Sequence, residues 1–246
     1  MNNTTKTTTR LAAIAGLALA ASSGHAATVF TTDISGPNAV GLPQALTDEL
    51  AFAGDVSSTD LLQGITGTVS GAFTGGTAAN LNNGLGRTID SSVDVPGSVG
   101  EIAWVGDSGS SIEFVIGGGA NGLGYDISGV TSFADWADAG FMNQKYEIYL
   151  RELGGSYALY TTVNYQPAAD NGQGGATKVN VTDDLGLLGS GIDAIRFDFL
   201  DTVSLNAGGT VFSEIDVFGT ATAVPEPSAA ALLGLGGLTL ILRRRK

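Results

Sequence analysis

Apolar and polar residues alternate with a period of two over much of the second half of the chain. Ile112, Phe114 and Ile116 share one face of residues 111–116, and Tyr146, Ile148 and Leu150 share one face of residues 145–150. Ile195, Phe197 and Phe199 alternate with Arg196 and Asp198. This periodicity marks strands with one face buried. Residues 211–218 continue it, with Val211, Ser213, Ile215 and Val217 opposite Phe212, Glu214, Asp216 and Phe218. Further strands are predicted over 28–34, 66–73, 100–105, 125–130, 157–163 and 177–181. A helical pattern is confined to 43–52 and 132–138. Many short strands without crossover helices predict an all-β fold, an antiparallel β-sandwich of the jelly-roll kind.

Both ends of the chain depart from this pattern. Residues 1–10 carry Lys6 and Arg10 with no acid, residues 11–21 are apolar, and Gly24-His25-Ala26 supplies small residues at the positions a signal peptidase reads. These are the parts of a secretory signal peptide, residues 1–26, cleaved after Ala26 or alternatively Ala27. At the other end, residues 224–246 place Pro225-Glu226-Pro227 before an apolar run, 229–242, and a basic cluster of Arg243, Arg244, Arg245 and Lys246. The prolines keep the motif extended and out of neighbouring elements. A helix over the 14-residue run is roughly 21 Å long, short of the roughly 30 Å hydrocarbon core, so Ser228 and the arginine stems complete a single membrane helix. The four cations keep that end cytoplasmic and put the preceding chain outside.

Residues 27–223 remain as one domain, long enough to bury its own core. The chain has no cysteine and its one histidine, His25, leaves with the signal. Ser-His-Asp and Cys-His nucleophiles, histidine- or cysteine-bound zinc and disulfides are therefore excluded from the mature domain. Between Ala27 and Ala223 five Lys and Arg face 23 Asp and Glu, a net charge of −18. Nucleic acid is a poor partner for such a field; cations, neutral sugars and basic surfaces suit it.

Two resemblances refine this reading. The C-terminal order of Pro-Glu-Pro motif, apolar span and basic end resembles the PEP-CTERM sorting signal of exported bacterial proteins. It implies recognition by an exosortase and delivery to the cell envelope or extracellular matrix; a plain membrane anchor is the alternative. In the domain, the strand holding Ile195-Arg196-Phe197 and the closing phrase Glu214-Ile215-Asp216-Val217-Phe218-Gly219 resemble the later strands of a discoidin-type, galactose-binding-like jelly roll over about residues 55–219. Asp60-Leu61-Leu62, Leu81-Asn82-Asn83-Gly84 and Gly106-Asp107-Ser108 fit its first half more loosely. The chain lacks the paired terminal cysteines of cell-surface discoidin domains.

Gly117–Gly122 fits G-x-G-x-x-G, yet the next residues predict a strand where a dinucleotide site needs a helix, so the run is read as a loop. Carboxylates are the abundant chemistry. Asp183 with Asp184, or Asp198 with Asp201, are candidate calcium ligands, since calcium accepts carboxylate and carbonyl oxygens in irregular loops; the resemblance likewise implies one structural calcium ion. Of the two tryptophans, Trp104 lies in an apolar strand and reads as core. Trp136, flanked by Asp135 and Asp138, is the candidate ligand-binding aromatic. The sequence thus predicts an exported, non-catalytic module that binds carbohydrate, specifically extracellular polysaccharide. A structural or adhesive matrix component, or a carboxylate-based glycan hydrolase, are the alternatives.

Overall fold

The computed structural model describes residues 27–35, 50–88, 101–105, 109–136, 140–167, 175–202 and 209–224. The expected signal peptide, the sorting segment from Pro225 onward, Asp138 and most of the predicted 43–52 helix lie outside the described residues.

Eleven strands account for the fold: β1 (Thr28–Ser35), β2 (Thr68–Ser70), β3 (Phe73–Gly76), β4 (Ala103–Val105), β5 (Ser111–Val115), β6 (Tyr125–Trp136), β7 (Gln144–Glu152), β8 (Tyr157–Tyr165), β9 (Gly175–Asp183), β10 (Gly189–Phe199) and β11 (Thr210–Ala221). Every predicted strand is present, and the stretch predicted as 66–73 divides into β2 and β3. All pairings are antiparallel. One layer runs β1-β9-β6-β11-β4-β3 and the other β2-β5-β10-β7-β8. The first residues of β10 join them, with Gly189 opposite Ile127 and Ile192 opposite Tyr125. The protein is an all-β sandwich made by one antiparallel sheet curled onto itself.

Aromatic rings fill the space between the layers. Tyr146 of β7 stands edge-on to Phe197 at 6.1 Å and to Phe212 at 5.8 Å, and Phe114 meets Phe197 at 6.3 Å. Such edge-to-face contacts are favoured by ring quadrupoles. The Tyr146 hydroxyl shares a 2.7 Å hydrogen bond with Ser132 Oγ, and Gln144 Nε2 donates to Thr177 Oγ1 at 2.9 Å, so these buried polar groups are paired.

Two expectations need correction. Residues 132–136 are not helical: they complete β6, a central strand paired with β11 on one side and β9 on the other. Phe133, Ala134 and Asp135 are all buried, so burial on both faces hides the alternation that would have announced a strand. In β11 the predicted faces hold for only part of its length. A bulge between Phe212 and Glu214 shifts the register by one residue, which moves side chains to the opposite face. Phe212 therefore joins Ile215 and Val217 in the core, while Glu214 and Asp216 face outward beneath another layer of chain.

That layer is built from residues 50–65 and 77–88, which flank β2 and β3. Leu62 and Leu81 are wholly buried in it, and Leu61 N donates to Val217 O at 2.8 Å along the part of β11 that β4 does not reach. The sandwich has two distinct ends. At one lie the turns 116–124, 153–156 and 184–188, together with Ala27 and Val224; at the other lie Trp136 and Phe141. Twelve-residue β6 runs between them, a span of about 36 Å at the usual rise of a strand.

Candidate functional site

Residues 77–88 are the hub of the overlying layer. A 3-10 turn at Ala78–Leu81 lets Asn80 Nδ2 reach Ile102 O at 2.7 Å, while Asn82 Nδ2 reaches Leu62 O at 2.6 Å and Ile65 O at 2.7 Å. Amide side chains here do the work of a missing neighbouring strand. Gly84 has φ +70°, which favours glycine, and a Cβ at Gly86 would stand 2.0 Å from Ala53 O. The loop is pinned at its far end by Arg87. Its guanidinium donates to Asp135 Oδ1 at 2.8 Å, with side chains 1% and 6% exposed, and lies 4.8 Å over the Trp136 ring.

A cleft of about 420 Å³ opens between this loop and residues 63–67, lined by Gln63, Thr66, Asn82 and Asn83 with Ile65, Ala78 and Ala79 as its apolar parts. The lining holds no charged group. Its amides are already ordered: Gln63 Nε2 donates to Asn83 O at 3.0 Å and Leu85 N to Asn83 Oδ1 at 2.7 Å. Neutral donors and acceptors beside small apolar patches suit a polyhydroxyl ligand better than an ion.

Three carboxyl groups lie buried between this overlying layer and β11. Asp60 Oδ1 accepts from Leu62 N at 2.7 Å and Val217 N at 3.2 Å, and Asp216 Oδ2 accepts from Ser57 N at 2.9 Å. Asp60 Oδ2, Asp216 Oδ1 and both oxygens of Glu214 have no hydrogen bond of good geometry, although the Asn83 and Gly84 amides lie near the Glu214 carboxyl. Burial, and then the Asp216 charge, push the Glu214 carboxyl up to about 9, opposed by the backbone amides of Gly84 and Asn83. Burial lifts Asp216 to about 7 against the pull of the Ser57 amide, with Asp60 adding to the rise and Lys178 opposing it. Burial also raises Asp60. Unpaired buried carboxylates are too costly to persist; they stay protonated or meet a cation.

These oxygens fit the chemistry of calcium, a hard ion that takes carboxylates, main-chain carbonyls and water together. Among the described residues no three or more carboxylates are gathered around one metal position. An ion held by Glu214, with Asp60 or Asp216, would therefore draw its remaining ligands from carbonyls and water.

The residues singled out in the sequence fall in several places. Asp135 and Trp136 meet at this hub, but as supports of Arg87. Asp183 Oδ1 accepts from Leu185 N at 2.8 Å and Oδ2 from Tyr160 at 3.0 Å, and Asp184 Oδ1 accepts from Ala27 N at 2.9 Å. Asp198 accepts from Nε and Nη2 of Arg196, at 2.7 and 2.9 Å, and Asp201 follows it at the far end of β10. Trp104 is half-buried, edge-on to Phe141 at 5.2 Å. The sequence reading missed Gln63, Arg87 and the burial of Glu214. A signal was present for the last: each phase of 211–218 mixes apolar and polar residues, as expected of a strand covered on both sides.

An antiparallel all-β sandwich with an amide-lined cleft at its overlying layer is thus the class of molecule. Residues 223–246 match the PEP-CTERM protein-sorting motif. Solved structures of similar fold include the CBM32 of AlyQ in complex with 4,5-unsaturated mannuronic acid (14% identity, 63% of this chain and 96% of that one, TM-score 0.38). Others are the family 32 CBM of C. perfringens NanJ in complex with galactose (14%, 62% and 92%, TM-score 0.39) and a Streptococcus pneumoniae fucose binding module (12%, 65% and 94%, TM-score 0.40). No curated protein matches the chain.

Proposed function

We propose that this protein is exported, sorted at the envelope through its C-terminal segment by an exosortase after signal peptidase has removed residues 1–26, and binds carbohydrate without catalysis. Extracellular polysaccharide is the substrate class that destination supplies. The observation that carries the binding function is the cleft of Gln63, Thr66, Asn82 and Asn83, whose neutral amide and hydroxyl groups match sugar hydroxyls. Trp136 adds aromatic surface at the loop's base, and Asp135 acts through Arg87. A calcium ion at Glu214 would stiffen the loop from beneath by tying it to β11.

Calorimetric titration of the purified protein with polysaccharide fractions from the matrix, in millimolar calcium, tests this reading. Binding that falls about tenfold in Gln63→Ala or Thr66→Ala, with unchanged melting temperature, is the expected result. Absence of heat with every neutral or acidic glycan fraction would sink the ligand assignment.

A second reading, a structural or adhesive component of the matrix, is favoured by β8. Its nine residues carry no charge, and among the described residues only β7 pairs with it. Exposed, uncharged edge strands invite pairing with another chain. Light scattering across a concentration series would reveal such association.

A further inference from the structure

We propose that the end of the sandwich from which the C-terminal segment leaves is a membrane-contact face, with its leucine-bearing turns seated in the headgroup region of a zwitterionic phospholipid surface. Three turns meet at that end. Leu153 sits in the turn closed by Gly155 N donating to Glu152 O at 2.8 Å, and Leu185 in the turn closed by Gly186 N donating to Asp183 O at 3.0 Å. Leu123 follows the turn closed by Gly122 N donating to Gly119 O at 3.3 Å. Closed turns hold these side chains out from the body of the domain instead of letting them fold back. Leu185 is 74% exposed, Leu153 49%, Leu187 44% and Leu123 37%. The turns are tied to one another: Leu153 N donates to Gly191 O at 2.9 Å, Gly191 lies against Leu123 O, and Thr222 N donates to Gly124 O at 2.9 Å.

Single exposed leucines need no explanation, but four at one end of a domain do. The geometry of the chain supplies one. Thr222 is fastened to this same end, and Val224 is the last described residue. Only four residues, 225–228, separate it from the apolar run that starts at Ala229, so the five steps between them span at most about 18 Å even when fully extended. Each headgroup layer is itself about 5–7 Å deep. If residues 229–242 enter the bilayer, this end of the sandwich has nowhere to stand except against the headgroups. The turns nearest the lipid are then the ones that present leucine. Lys and Arg are scarce there, with Arg151 held by Asp193 at 2.7 Å, while Glu152 and Asp184 are exposed. That charge pattern fits a zwitterionic surface and not an anionic one.

The proposal rests on the reading of the C-terminal segment as a membrane anchor, and the test separates the two. The chain has no cysteine, so Leu185→Cys and Asn164→Cys each give one site for an environment-sensitive fluorophore in the full chain. Asn164 is exposed near the opposite end of β8. Both proteins are reconstituted into phosphatidylethanolamine–phosphatidylcholine vesicles, floated, and titrated with brominated phospholipid. The expected result is several-fold stronger quenching at 185 than at 164. Flotation with equal quenching at the two positions would overturn the contact face while leaving the anchor intact. Failure to float would overturn the anchor, and the contact face with it.

Discussion

Arg87 and Asp135, 48 positions apart in sequence, form an ion pair at 2.8 Å with both side chains almost wholly withdrawn from water. Removing one member of such a pair leaves the other as an uncompensated buried charge. Arg87→Ala is therefore expected to destabilise the fold by about 3–5 kcal/mol, read from urea unfolding. Trp136, which loses its stacked guanidinium, should shift its emission in the native baseline. A loss below about 1 kcal/mol would mean that the pair does not fasten the loop.

The buried acids make stability depend on pH in a definite direction. Glu214, at about 9, and Asp216, at about 7, bind protons more tightly folded than unfolded. Their contribution is fully present below their unfolded values near 4 and is lost as pH rises through the folded ones. In chelator, the melting temperature should fall between pH 4 and 9 from these groups, and Glu214→Gln should flatten the upper part of that slope. An unchanged slope in Glu214→Gln would show that the carboxyl is not buried as described.

Calcium should reverse the trend. An ion that binds only the folded chain stabilises it by about 2.7 kcal/mol at one hundred times its dissociation constant. The expected outcome at pH 8 is a rise in melting temperature with calcium in the native chain and none in Glu214→Gln. An equal rise in both would place the ion elsewhere.

Gly86 offers a test of the loop as a shared support. A methyl group there would stand 2.0 Å from Ala53 O, so the backbone must move. Gly86→Ala should cost about 1–3 kcal/mol, the range for overpacking, and weaken both the calcium shift and glycan binding. Loss of one without the other would separate the two sites.

The core tyrosine predicts a smaller effect. Tyr146→Phe removes a hydroxyl bonded to Ser132 at 2.7 Å but keeps the ring contacts with Phe197 and Phe212. A loss of about 0.5–1.5 kcal/mol in calorimetry is expected, the net worth of one hydrogen bond.

Strands exposed on one face were legible because a half-buried strand writes its environment into a period of two; β5, β7 and β10 are the clear cases. Strand β6 beyond Val130 was not, since both of its faces are covered and Phe133-Ala134-Asp135-Trp136 carries no alternation to read. The bulge in β11 was equally hidden, because its effect is to exchange faces at Ser213 without any glycine or proline to mark it. The hub at 77–88 depends on long-range partners: Asn80 on Ile102, Asn82 on Leu62, Arg87 on Asp135. Local sequence names these side chains but not the backbone they will meet. Asp135 and Trp136, singled out in the sequence as ligand-binding candidates, both meet Arg87, which arrives from 48 residues upstream of Asp135.

Strand β11 has a mechanical consequence. It lies antiparallel to β6, with registered partners from Phe212 and Ala134 to Ala221 and Tyr125, and the chain leaves β11 at its Ala221 end. Hydrogen bonds in such a ladder stand perpendicular to the strands. A tug on the departing chain, resisted by something gripped near the Trp136 end, would load those bonds side by side in shear rather than peel them one at a time. The β6–β11 ladder at the centre of its layer would thus resist a pull along the strand direction with its bonds acting together.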